Sequence, residues 1–144
     1  MNKPSRKEAR ALLVVGLRNA LTNISADNII GYQPNLTGEF PVIAVLSAGS
    51  RRPPMTARGT MGAFALRINV FVRREATDWS REQAEDLLDD LEAQIAEHLE
   101  KVRGETIAWK SLDYDTMSEV AFFVPQAGIV YVVETIHVTV SVLR

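Results

Sequence analysis

Few side chains in this chain have the type and spacing to do covalent or acid–base chemistry. The two histidines, His98 and His137, stand 39 positions apart with no third ligand at a metal-like spacing, so they do not read as a metal site. Asp89-Asp90 and Asp113-Tyr114-Asp115 supply neighbouring carboxylates, the residue type that general acid–base catalysis needs. Adjacent helical residues point about 100° apart, however, and clustered acids on a helix usually form a solvated face. Cysteine is absent, which removes thiolate catalysis, disulfides and sulfur-ligated zinc. No serine sits in a nucleophile elbow, and neither G-x-G-x-x-G nor a phosphate loop ending in Lys-Ser/Thr occurs. The expectation is a chain without catalytic, cofactor-binding or metal-ligating residues, hence not an enzyme.

Arginine is the remaining chemistry-bearing residue with a pattern. Arg51, Arg52 and Arg58 lie in the stretch GSRRPPMTARGTMGA (residues 49–63), and Arg67, Arg73 and Arg74 follow it. Single-strand nucleic-acid platforms interleave aromatic rings with their cations, and no rings are interleaved here. The overall charge is also wrong for a phosphate binder, since 16 Lys+Arg against 18 Asp+Glu leave −2 and a pI near 5.7. Arginine is enriched at protein interfaces and methionine adapts to irregular surfaces. Arg51, Arg52, Arg58, Met55 and Met61 are therefore the expected partner-binding residues, with a solvated loop or a local nucleic-acid contact as the alternatives.

These residues must be held by regular elements. Residues 5–21 carry Ala9, Leu12, Leu13, Leu17, Ala20 and Leu21 at three- and four-residue steps, an amphipathic helix with Ser5 as N-cap and Glu8 completing a capping box. Lys3, Arg6, Lys7, Arg10 and Arg18 against Glu8 give it a local charge of +4. Residues 40–47 (FPVIAVLS) read as a strand that Pro41 restricts to its start or to an edge. The 15 residues 49–63 then read as a long mobile loop. Residues 64–74 alternate Phe64, Leu66, Ile68, Val70 and Val72 with a mostly wet face, a strand covered on one side.

A second helix follows, capped by Ser80 and Gln83, with Ala84, Leu87, Leu88, Leu91, Ile95, Leu99 and Val102 as its buried stripe and Gly104 as the stop. His98 falls on its polar side. Between Arg81 and Arg103, eight acids against three bases leave −5. Residues 106–112, 119–124 and 129–143 read as further strands, the second ended by a turn around Pro125 and Gly128. The last strand changes character near Glu134, which suggests a bulge.

The 144 residues amount to one domain of 16.0 kDa, 47% apolar and 24% charged, able to bury roughly 68–70% of its unfolded surface without a staple. No apolar run of about 18 residues occurs and the N-terminus does not read as a signal peptide, so a soluble cytoplasmic chain without membrane contact is expected. The element order predicts an α+β domain covering residues 1–144, with a mainly antiparallel sheet of four to five strands and two helices packed on one face. Phe71 falls on the polar side of its strand and Tyr131 on a strand with two apolar faces. Two helices cover only one side of such a sheet, so its other face or an edge calls for a second subunit. Phe71, Arg73, Arg74 and Tyr131 are the candidate subunit-interface residues.

The order of elements resembles the tail terminator (tail completion) proteins of long-tailed bacteriophages and prophages. The likeness lies in the N-terminal helix, the Pro-led strand Phe40-Pro41-Val42-Ile43, the Gly/Arg loop, the strand Leu66 to Arg74 ending in basic residues, the acidic helix and the C-terminal strand. The resemblance implies a homo-oligomeric ring, hexameric in kind, that caps the tail tube protein at its final length. It would present its other face to head-completion or neck proteins and let DNA pass through its channel without specific binding. It also implies a location at the tail–neck junction of the virion, after assembly in the host cytoplasm. The residues leave open another neck component, the tail tube protein itself, or a small dimeric α+β module binding a metabolite or peptide.

Overall fold

The computed structural model describes residues 5–35, 41–52, 61–74, 78–126 and 129–143. Its elements are α1 (Arg6–Ala20), a 3-10 turn (Ala26–Asn28), β1 (Ile29–Ile30), β2 (Val42–Arg51), β3 (Met61–Arg74), α2 (Asp78–Lys101), β4 (Ser111–Tyr114), β5 (Glu119–Gln126) and β6 (Ile129–Leu143). The fold is α+β, as expected, with six strands in one mixed sheet. The order is β1-β2-β3-β6-β4, and β5 pairs β6 on the same side as β4. All pairs are antiparallel except the two-residue β1, which runs parallel to β2.

Alternation decides the layering. Phe64, Leu66, Ile68, Val70 and Val72 of β3 and Val132, Ile136, Val138, Val140 and Val142 of β6 point to one side. There they join Ala9, Leu13, Val14 and Leu17 of α1 and Ala84, Leu88, Leu91, Ile95 and Leu99 of α2 in one buried cluster. Both helices therefore cover one face of the sheet. Ser5 caps α1 by accepting from the Glu8 N–H at 3.1 Å. The α1 arginines hold the helix to its own chain: Arg6 donates to Ser50 Oγ, Arg10 to Ser47 Oγ and Arg18 to the Ile29 carbonyl.

Several boundaries differ from the sequence reading, each for a local reason. The expected loop over 49–63 begins and ends as strand, because Gly49–Arg51 pair with Ala65–Ala63 and Met61 and Gly62 pair with Leu143 and Val142. Helix α2 starts at Asp78, which puts Ser80 inside it. Gly104 is not its left-handed stop, as the Val102 N–H already closes the last turn on the His98 and Leu99 carbonyls. Residues 106–110 form a tight turn rather than strand: the Thr106 hydroxyl accepts from the Ala108 and Trp109 N–H groups, and the Trp109 indole donates to the Val102 carbonyl.

Strand β5 continues past Pro125 to Gln126 with a register shift there, the irregular edge position a proline tolerates. No bulge lies at Glu134, since the β3–β6 register is unbroken from Met61↔Leu143 to Arg74↔Val130. The change of pattern marks instead the point where the outer partner of β6 passes from β5, which pairs residues up to Thr135, to β4, which pairs from Val138.

Candidate interaction surface

Strand β5 is the anomaly of this fold. Its stretch VAFFV (residues 120–124) has the continuous apolar character of a strand buried on both faces, yet it pairs only β6 and lies at the sheet margin. Its main packing partner is β6. Val120 (54%) and Phe122 (60%) stand exposed on the helix-bearing side, Phe123 (44%) on the other, with Val124 (56%) at the register shift and Met117 (79%) just before the strand. Five of the eight large apolar residues exposed among the described residues thus fall within eight positions of sequence. A contiguous apolar edge of this kind is a template for pairing with another chain.

The expected interface residues divide around this strand. The Arg74 guanidinium lies over the Phe122 ring at 5.1 Å from its centroid. Tyr131, almost fully buried, stacks on Phe123 with ring centroids 6.3 Å apart and lies opposite the exposed Arg73 in register. Phe71 does not belong there. It is buried in a second small cluster with Ile30, Val42 and Ala44, flanked by Val42 and Val133 in register, so the chain covers it without a partner. Val120, Phe122 and Val124 were not singled out by sequence. The signal was there: a fully apolar run bounded by Glu119 and Pro125, whose proline favours an edge over a sheet centre.

The partner-binding set lies elsewhere. Arg51 and Arg52 are exposed at the far end of β2, with Arg52 5.4 Å from the Phe64 ring centroid. Arg51 pairs with Ala63, eleven residues from Arg74 along β3, so the two sets of arginines are roughly 36 Å apart at about 3.3 Å per residue. Met61 opens β3 opposite Leu143. Met55 and Arg58 lie outside the described residues.

His98 is half-buried where α2 crosses α1, so close that a Cβ on Gly16 would meet its Nε2 at 2.5 Å, and that burial and Lys101 lower its pKa. It is not on a solvated face, and α2 and the open sheet face keep it apart from His137. Asp113 pairs with Arg103 at 3.0 Å, while Tyr114 donates to Glu100. Among the described residues Glu134 alone is a buried acid: its carboxylate accepts from Ser118 Oγ, and burial, with Glu92 and Asp89 of α2 nearby, raises its pKa. Beside it a cleft of about 90 Å³ is lined by Glu92, Leu99, Asp115, Ser118 and Ile136 among others. Among the described residues no group of three or more His, Asp or Glu is placed to hold a metal ion, and no helix is long and apolar enough to cross a membrane. In comparisons with known proteins the chain matches no protein-family model and no curated sequence.

Proposed function

We propose that this chain is a structural subunit that works by contacts with copies of itself, forming a ring, hexameric in kind, that caps the tail tube of a long-tailed phage. The ring's other face would join head-completion or neck proteins, and DNA would pass through its channel without specific recognition. The observation that carries the reading is the exposed apolar strand β5 on an open sheet edge. An apolar edge covered in an assembly is stable there and a liability in isolation. Head-to-tail contacts of this type close into rings when the rotation permits. Of the elements on which the resemblance rests, β2, β3 and β6 belong to the one sheet that β5 borders, and α1 and α2 pack on one face of it.

The test is genetic. In the phage or prophage carrying the gene, its interruption should give tails of uncontrolled length that do not join heads. Tails of normal length joined to heads in the interrupted strain would refute the capping role.

A further inference from the structure

Strand β5 has a matching edge on the opposite side of the same sheet. β1 pairs only Ile43 and Ala44 of β2, so from Val45 to Arg51 the outer edge of β2 has no strand partner among the described residues. β5 runs with β3, because each is antiparallel to β6, and β3 is antiparallel to β2. Rotation about an axis along the strands preserves strand direction. A neighbouring copy so related would bring its β2 edge to β5 antiparallel, with both helix layers on the same side.

We propose that β5 of one copy pairs with the β2 edge of the next, with Glu119 opposite Arg51 and Val124 opposite Val45. This rests on the self-assembly reading above and names the surfaces that carry it. Three features fix the register. Glu119 and Arg51 are both exposed and opposite in charge, at the first residue of one strand and the last of the other. The free lengths agree: six residues from Glu119 to Val124 meet seven from Val45 to Arg51, of which the irregularity between Ser47 and Gly49 takes one out of the pairing. Both stretches also stop for a reason, one at Pro125, which has no N–H, and the other at Ala44, already paired to β1.

The faces agree as well. Phe123 would lie against Leu46 on the open side of the sheet, where Leu46 already packs on the Phe71 cluster. Val120 would lie on the helix side, as Ser50 does. The neighbour thus extends both layers of the core without inverting either, and the two edges are consumed in one heterologous contact.

Since the chain has no cysteine, engineered ones report this register directly. The Val120→Cys/Ser50→Cys double variant should give a ladder of covalent oligomers on mild oxidation, because residues directly opposite across antiparallel strands bring their Cβ atoms to about 4.5–5.5 Å. Each single variant should give no ladder. Oligomers of the unmodified chain by light scattering, with no ladder from the double variant, would overturn the register and leave self-assembly standing. Covalent dimers from Phe122→Cys alone would show β5 pairing with itself and overturn the proposal in the same way. An unmodified chain that stays monomeric, alone and with tail tubes, would remove the self-assembly reading itself.

Discussion

Replacing Phe122 by Thr separates folding from association, because the side chain lies on the surface of the isolated chain and would be inside the proposed assembly. Phe122 is 60% exposed in the isolated chain. For an aromatic side chain of roughly 200 Å², that leaves about 120 Å² to be covered by a neighbour. At about 25 cal/mol per Å² the full area is worth about 3 kcal/mol, and with a threonine methyl retained about 2 kcal/mol or more is lost. One decade per 1.4 kcal/mol makes each subunit contact about 30- to 150-fold weaker. Within the chain the change removes the Arg74 contact, worth about 0.5–1 kcal/mol at an exposed site, while threonine keeps the strand preference. Sedimentation across a concentration series should show dissociation shifted by that factor, while the thermal midpoint of the dissociated subunit moves by a few degrees. Association unchanged from the unmodified chain would refute the assignment of β5 to the interface.

Further outcomes follow from the interior and the edges. Leu91→Asp puts an unpaired charge at a fully buried position of α2, costs several kcal/mol, and should leave the chain unfolded by circular dichroism. Glu134→Gln should raise the thermal midpoint at pH 7. The native pKa of Glu134 is raised, so its contribution is favourable below the unfolded value near 4.5 and is lost as pH rises through the native one, a slope the variant should flatten. His98 has the opposite sense: its native pKa is lowered, so stability present above about pH 6.5 is lost as pH falls through the native value, and His98→Gln should lessen that acid loss in melts between pH 7.5 and 5. Glu119→Arg and Arg51→Glu should each weaken association, and the two together should restore it.

Much of the fold is legible in periodicity. The i, i+3, i+4 stripes of α1 and α2 and the alternation of β3 and β6 each report burial on one side, and those residues form the main core. What periodicity does not carry is lateral position in a sheet. Residues 119–124 read as a strand, but nothing in their sequence tells centre from margin, and the register pairs them with β6 alone and leaves them exposed. Phe71 reads as exposed because its neighbours in sequence, Arg67, Asn69 and Arg73, are polar, whereas its neighbours in space, Val42 and Val133, come from other strands. The switch of β6 from β5 to β4 leaves only Glu134 as a trace in sequence, which local pattern reads as a bulge. The Arg51–Arg52 end was legible as a surface, but its pairing with Ala63 extends the sheet where Gly and Pro content indicated a loop.

The proposed ring would be closed through the edges of neighbouring sheets. Native mass spectrometry of the unmodified chain, alone and mixed with purified tail tubes, tests it most directly. A closed ring should give one species, six copies of the 16.0-kDa chain, free or seated on tube ends. A monomer in both settings, with tube ends left bare, would contradict it.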